Sequence, residues 1–112
     1  LTQIPVFSKI VIRIIEIDFN KINKIDYSSF EGMRNLAILS LSNNQIETID
    51  SKSFQDLRWL SSLDLSFNYL TNLDKNLFKR TFNLKYLNLS SNSLVNISRI
   101  LFYYLKDLIT LD

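Results

Sequence analysis

The sequence lacks the residue types that most often carry catalysis and metal binding. Its 112 residues include no histidine and no cysteine, which removes the commonest general base, the thiol nucleophile and the usual zinc ligands. The single glycine, Gly32, cannot form a glycine-rich phosphate loop. We therefore expect no enzyme activity, no cofactor and no bound metal.

Charge of one sign and long apolar runs are also scarce. The chain has 13 lysines and arginines against 11 aspartates and glutamates, a net charge of +2. This balance is too weak to predict binding to nucleic acid or to an anionic membrane. No apolar run approaches the roughly 18 residues of a membrane-spanning helix. Hydrophobic residues still make up 46% of the chain, which is enough for a continuous core in one domain.

A repeat of 24 residues organises the chain. Its clearest copy, Leu36 to Trp59, reads LAILSLSNNQIETIDSKSFQDLRW, or L-x-x-L-x-L-x-x-N-x-I-x-x-I-x-x-x-x-F-x-x-L-x-x. Successive copies occupy residues 12–35, 36–59, 60–83 and 84–107, followed by a partial copy at 108–112. Such a period predicts that each copy forms one coil of a solenoid, so residues 1–112 are interpreted as a single domain.

Each coil is expected to contain one short strand, at L-x-x-L-x-L. Alternate side chains of a strand point to opposite faces, and strands of successive coils would stack about 4.8 Å apart in a parallel sheet. The return leg, around F-x-x-L, is wider and is predicted to be irregular or 3₁₀-helical. Stacked wedges of this kind curve. The expected fold is therefore an α/β repeat solenoid shaped as a horseshoe, with the parallel sheet on its concave face.

Two residue columns recur at fixed positions of every copy. Asparagine offers one acceptor and two donors, so we expect the asparagine column to pair backbone groups that a buried turn would leave unsatisfied. This role is favoured over glycan attachment or ligand contact, because none of the four is followed by x-Ser or x-Thr. The phenylalanine column is expected to stack as a core spine rather than to form a ligand-binding stripe. The columns are Asn20, Asn44, Asn68 and Asn92, and Phe30, Phe54, Phe78 and Phe102.

Variable residues on the concave face are the candidates for partner binding. The outward strand positions mix small polar, charged and a few apolar side chains, which suits a broad, flat contact with another macromolecule. The alternative is that much of this surface is merely solvated. The candidate binding residues are Arg13, Glu16, Asp18, Ser40, Asp64, Lys85 and Tyr86. Glu16 and Asp64 lie on strands two apart, so their carboxylates are expected to be about 9.6 Å from each other. This separation is at the edge of the range found in inverting glycosidases, but no sugar cleft is predicted around the pair.

Two further aromatic residues occupy one position of the repeat. Phe19 and Phe67 each come directly before a residue of the asparagine column. We expect their rings to pack at the rim of the sheet rather than to recognise a ligand.

The sequence contains two triplets of the N-glycosylation type, Asn88-Leu89-Ser90 and Asn96-Ile97-Ser98. Asn96 lies on the turn after a strand, where a glycan is accommodated easily. The Asn88 side chain is predicted to point out of the concave sheet, where a bulky, hydrated glycan would cover neighbouring strands. A modified Asn88 would therefore direct a partner to the first two repeats, a flank or the convex side.

The repeat frame resembles that of leucine-rich repeat proteins of the typical extracellular class. The return-leg phenylalanine and the start LTQIP make it similar to the ectodomain repeats of Toll-like receptors, and also to lamprey variable lymphocyte receptors, insect immune repeat proteins, Slit proteins and small proteoglycans. Residues 1–11 resemble the end of a cysteine-containing N-terminal cap, with Leu1 and Ile4 at the apolar positions that follow the column asparagine. The resemblance implies that the missing cysteines lie in terminal caps outside this piece.

What the resemblance implies about function is recognition. Such horseshoes bind proteins, glycans or microbial products, so we expect a recognition module of an extracellular or cell-surface protein in innate immunity or adhesion. The parent protein is expected to be a secreted or membrane-anchored glycoprotein. Two alternatives stay open: structural spacer repeats within a longer receptor, and a cytosolic scaffold, which the absence of disulfides would suit.

Overall fold

The structure is a computed structural model that describes residues 1–5 and 11–112, so residues 6–10 of the predicted cap remnant lie outside it. The elements, in chain order, are β1 (Ile14–Glu16), β2 (Lys24–Ile25), β3 (Ile38–Ser40), β4 (Thr48–Ile49), β5 (Ser62–Asp64), β6 (Tyr86–Asn88), α1 (Ile100–Tyr103) and β7 (Thr110–Leu111).

A five-stranded parallel sheet, in the order β1-β3-β5-β6-β7, forms one face of the solenoid. Its register advances by one repeat per strand: Ile14 pairs with Ile38, Ile38 with Ser62, Ser62 with Tyr86, and Tyr86 with Thr110. The central residues of the first four strands point inward and are buried: Ile15, Leu39, Leu63 and Leu87. The predicted horseshoe of stacked coils with a parallel sheet is confirmed.

A second, much smaller sheet was not predicted. It pairs β2 with β4 in parallel, in the register Lys24 to Thr48 and Ile25 to Ile49. These dipeptides lie beyond the column asparagine of the first two coils. The Glu47 amide donates to the Asn23 carbonyl and the Asp50 amide to the Ile25 carbonyl, both at 2.9 Å. The sheet therefore links two return legs through main-chain atoms, which sequence periodicity does not reveal.

The return legs are mainly hydrogen-bonded turns, as predicted. Typical bonds run from the Met33 amide to the Phe30 carbonyl and from the Leu57 amide to the Phe54 carbonyl, each 3.1 Å. In the described part of the chain the only helix is α1, in the last full coil, where the Ile100 amide donates to Ser98 Oγ at 3.2 Å.

The described N-terminal residues extend the solenoid before β1. The Lys21 amide donates to the Leu1 carbonyl at 2.7 Å, just as the Gln45 amide donates to the Ile22 carbonyl at 2.9 Å. Leu1 thus occupies the position that Ile22 holds in the next coil, and Ile4 packs, half-buried, against the core. The core packing expected of such an apolar position is seen for Ile4, whereas Leu1 is 59% exposed.

Candidate functional site

The column asparagines lie where the concave strands turn into the return legs. In Asn44 the Nδ2 atom donates to the carbonyls of Ile17, Leu41 and Ser42 at 2.9–3.2 Å, and Oδ1 accepts from the Ile22 amide at 3.2 Å. Asn68 and Asn92 repeat this pattern one and two coils later. Asn20 keeps two of the donor bonds, and its Oδ1 accepts from the Leu1 amino group. Asn44, Asn68 and Asn92 therefore form a polar ladder, in which each residue links its own coil to the preceding one.

A second polar ladder, which the sequence analysis missed, runs beside the first. Asp64 Oδ1 accepts from the Ser66 amide at 2.9 Å and from Ser66 Oγ at 2.6 Å. Asn88 Oδ1 accepts from the Ser90 amide at 3.0 Å and from Ser90 Oγ at 2.6 Å. The signal that could have revealed it is the pair of triplets Asp-Leu-Ser and Asn-Leu-Ser at the same position of neighbouring repeats.

In the second coil, the corresponding hydrogen-bond acceptor comes from a residue of the first coil. Its strand carries Ser40 where the next two coils have Asp64 and Asn88. Asp18 Oδ1 replaces that acceptor, accepting from the Ser42 amide at 2.8 Å and from Ser40 Oγ at 2.7 Å. Three candidate binding residues, Asp18, Ser40 and Asp64, are therefore half-buried and partly engaged within the fold.

The serines at the end of the strands correct the predicted concave surface. Ser42 and Ser66 are among the outward strand positions expected from the repeat, but they are 7% and 4% exposed. The chain turns at this point, and the side chains close over the strand ends. Among the candidate residues, Arg13, Glu16, Lys85 and Tyr86 are the ones that are exposed.

The register of the sheet sorts the remaining surface into three columns that run along the solenoid axis. The central column carries Ile14, Ile38, Ser62, Tyr86 and Thr110. A column that includes Arg13 and Lys85 lies on the side where the strands begin. A column that includes Glu16 and Asp64 lies on the other side, about 6.6 Å beyond the central column along each strand. The middle column of the concave face thus includes Ile14, Ile38 and Tyr86, with the cations Arg13 and Lys85 on one side and the carboxylates Glu16 and Asp64 on the other.

The phenylalanine spine is shorter than predicted. The ring centroids of Phe30 and Phe54, and of Phe54 and Phe78, are 6.3 Å apart in each case, and the second pair is nearly parallel at 4°. Phe102 is half-buried and makes no such ring contact with Phe78. In its coil the return leg is helical, and the fully buried residue there is Leu101. The fourth member was therefore wrongly assigned to the stack.

The expectation that Phe19 and Phe67 pack at the rim is also wrong. Their side chains are 80% and 56% exposed, and both residues have φ near +55°. The left-handed conformation costs a non-glycine residue roughly 1–2 kcal/mol. The turn imposes it in every full coil, since Asn43 and Ser91 at the same position have φ of 55° as well.

The two glycosylation-type triplets lie in different surroundings. Asn88 belongs to β6 and is half-buried, with its Oδ1 held by Ser90. Asn96 is fully outside the sheet, exposed, with φ of 54°. Asparagine tolerates that conformation better than most residues. A glycan on the Asn88 Nδ2 atom would leave both bonds to Oδ1 intact.

Two open cavities lie away from the concave face. One, of about 510 Å³, is lined by Thr2 to Pro5 and by turn residues of the first coil, including Asp26 and Glu31. The other, of about 430 Å³, lies beside Phe82, Tyr103 and Lys106 on the return side. In the first, hydrogen bonds from Ser28 hold the pKa of Asp26 below its ordinary value.

The described residues offer no group of three or more acidic side chains arranged to hold a metal ion. Over the same ranges, no helix combines the length and the apolar composition needed to cross a membrane.

The geometry defines a class of protein, a solenoid of stacked coils whose exposed parallel sheet is available for contact. The chain belongs to the leucine-rich repeat family, whose model, described as "Leucine rich repeat", matches residues 11–70 and 58–112. Domains of this family mediate protein interactions. No curated protein sequence matches the chain significantly.

Solved structures give the same assignment. The chain is similar to a chain in the Toll–Spatzle complex of Drosophila, with 32% identity over 86% of this chain and a TM-score of 0.82. It is similar to the leucine-rich repeat domain of APL1B, with 25% identity over 82% and a TM-score of 0.75. It is also similar to internalin C2 from Listeria monocytogenes, with 25% identity over 89% of this chain and a TM-score of 0.70. The chain spans 13%, 27% and 41% of those chains, respectively.

Proposed function

We propose that this chain is a protein-recognition segment of an extracellular or cell-surface receptor used in innate immunity or adhesion. The observation that carries the proposal is the exposed apolar column of Ile14, Ile38 and Tyr86 in the middle of the concave sheet. Their side chains are 56%, 37% and 47% exposed. An apolar centre with a charged rim is the usual arrangement of a protein interface. The similarity to the Drosophila Toll chain supports the immune role.

The columns specify what the partner presents. Apolar side chains would cover Ile14, Ile38 and Tyr86, while acidic groups would face Arg13 and Lys85. Basic groups would face the opposite flank, at Glu16 and the Oδ2 atom of Asp64. Exposed ion pairs contribute only about 0.2–1 kcal/mol each. The apolar column therefore supplies most of the affinity, and the charges set the orientation and the association rate.

Three alternatives to this role exist. In the first, a spacer role, the coils only hold binding regions apart. A glycan or a microbial product is a second class of ligand for the same face, and a cytosolic scaffold would use it for another protein.

Binding by matched variants tests the proposal. The immobilised chain is used to capture partners from extracellular fluid and from cell-surface extracts of the source organism. Two variants are tested in parallel: Ile38→Asp, on the concave face, and Tyr27→Asp, on the return side. Their melting temperatures are first measured and compared with that of the parent, to show that both variants are folded. Tyr27 is 60% exposed and serves as the control. A protein that binds the parent and the Tyr27 variant, but binds the Ile38 variant at least tenfold more weakly, supports the proposal.

Equal binding by the Ile38 and Tyr27 variants would contradict the role of the concave face. Failure to capture any specific partner would favour the spacer role. The extracellular assignment is tested separately by expressing the chain with a secretion signal and mapping its peptides by mass spectrometry. We expect a glycan on Asn96. Secretion without any glycan on Asn96 would count against a glycoprotein.

A further inference from the structure

We propose that Phe19 and Phe67 form an aromatic clamp at the edge of the concave face, which takes one tryptophan or tyrosine side chain of the protein partner. The inference rests on the proposed function only for the source of that side chain. It extends recognition beyond the sheet to the turn that follows each strand.

The backbone at this edge is fixed by the fold and not by the side chains. The amides of Phe19, Asn43 and Phe67 donate to the carbonyls of Ser42, Ser66 and Ser90 at 3.0–3.1 Å, and the following column asparagine holds the turn from the other side. The three residues therefore lie in register and keep φ near +55°. Left-handed conformations of this kind persist only where the surroundings determine them.

Phenylalanine is a poor choice for this position on structural grounds. A bulky residue with positive φ is a genuine outlier, whereas asparagine is enriched there. The second coil, which carries Asn43, satisfies the same hydrogen bond. Because the two rings are largely exposed, burial does not offset the unfavourable conformation. Strain at exposed aromatic residues points to a role outside the fold.

The spacing of the two rings fits one planar group. Phe19 and Phe67 belong to alternate coils, so their backbones are two strand spacings apart, about 9.6 Å. Aromatic pairs prefer centroid separations of about 4.5–7 Å. Where the two side chains project in the same direction from the sheet edge, a third ring midway between them lies about 4.8 Å from each.

Asn43 holds the same turn position in the coil between Phe19 and Phe67 and supplies a polar group there. Its side chain is half-buried and its Nδ2 atom donates to Ser42 Oγ at 3.4 Å. Its Oδ1 atom accepts no hydrogen bond from any residue that the structure describes. An indole N–H or a phenol O–H entering the clamp would find an acceptor there, which selects tryptophan or tyrosine over leucine.

Stability measurements form the first test. In Phe19→Asn and Phe67→Asn, each ring is replaced by the residue that the second coil carries at this position. We expect melting temperatures equal to or higher than that of the parent chain. A fall of more than about 4 °C in either variant, on the order of 1 kcal/mol for a domain of this size, would show that the ring stabilises the fold and would overturn the proposal.

Binding of a small probe forms the second test and needs no natural partner. Indole is titrated into the full chain while aromatic and amide NMR resonances are followed. We expect saturable shifts at Phe19, Phe67 and the Asn43 side chain, with half-saturation at roughly 1–10 mM. The shifts should be lost in Phe19→Asn and Phe67→Asn and kept in Tyr27→Asn, which removes an exposed ring elsewhere.

The probes also distinguish the occupants. N-acetylleucinamide and methyl glucoside are titrated in the same way and should give no saturable shifts at these residues. Binding of either in place of indole, or no saturable shift with indole, would overturn the proposal. Loss of partner binding in Ile38→Asp leaves the indole result unchanged, so the clamp and the proposed concave interface can fail separately.

Discussion

The ladder residue Asn68 allows the sharpest prediction about stability. Asn68→Ala removes four hydrogen bonds: three from Nδ2, to the Leu41, Leu65 and Ser66 carbonyls, and one to Oδ1, from the Ile46 amide. The number of bonds lost overstates the damage, because most of the groups have a second partner.

Each of the three carbonyls keeps another donor in the variant. The Leu41 carbonyl still accepts from Asn44 Nδ2, the Leu65 carbonyl from Asn92 Nδ2, and the Ser66 carbonyl from the Asn43 amide. Each of these three carbonyls therefore loses one hydrogen bond but keeps another. The Ile46 amide is the one group left without a partner, and it lies in a buried turn.

The expected loss of stability follows from this asymmetry. A buried donor without a partner costs about 1–3 kcal/mol, and the weakened carbonyl bonds and the space left by the amide add to it. We expect Asn68→Ala to lower the free energy of unfolding by roughly 2–4 kcal/mol. The exposed Asn72, whose Nδ2 donates only to Thr71 Oγ1, provides the control, and Asn72→Ala should stay within about 0.5 kcal/mol of the parent.

Urea unfolding followed by circular dichroism gives the free energies, and amide hydrogen exchange gives the location. Protection of the Ile46 amide should fall more than that of the Leu70 amide, which bonds to Asn92. If Asn68→Ala matched Asn72→Ala in stability, or if the Ile46 amide kept its protection, the reasoning from unpaired groups would be refuted.

Three further predictions concern other parts of the fold. Phe78→Ala should destabilise the chain by about 3–5 kcal/mol, because it empties the end of a buried ring stack, and Phe102→Ala should cost clearly less in the same urea assay. The pKa of Asp26 is lowered in the folded state, so the stability from its bonds with Ser28 is present above the unfolded pKa and lost as pH falls through the folded one. The melting temperatures of the parent and Asp26→Asn should therefore begin to approach each other near about pH 4 and converge only below the folded pKa. A constant gap down to low pH would contradict this. The apolar residues of the last, partial coil should cause the 112-residue chain to self-associate, so a clean monomer at high concentration in sedimentation would speak against exposed coil ends as association sites.

The sequence predicts the fold well because periodicity carries it. The 24-residue spacing fixes which residues enter the core, and the column asparagines mark the turns. The second polar ladder was harder to foresee, since Asp64 and Asn88 look like ordinary surface residues until the Ser66 and Ser90 amides are placed. Its consequence is that part of the predicted concave binding surface is engaged inside the fold.

Two departures have the same kind of physical origin, the local conformation of the backbone. Phe102 has the correct spacing for the ring stack, but α1 changes the path of the return leg, which spacing alone does not report. Phe19 looks apolar and therefore suited to packing, but the left-handed turn directs it to solvent. Backbone conformation, rather than composition, decides the fate of such residues.

The interchangeable triplets of the second ladder allow a sugar to be relocated by a one-residue change. Asp64-Leu65-Ser66 and Asn88-Leu89-Ser90 make the same pair of bonds through Oδ1, so an acid and an amide are equivalent to the fold there. Asp64→Asn would create an acceptor triplet on the third strand, and Asn88→Asp would abolish the one on the fourth. Both residue types make the same bonds to the serine two positions later. Substitution at the position of Asp64 and Asn88 therefore adds or removes a glycan on successive strands of the concave sheet without a change in stability.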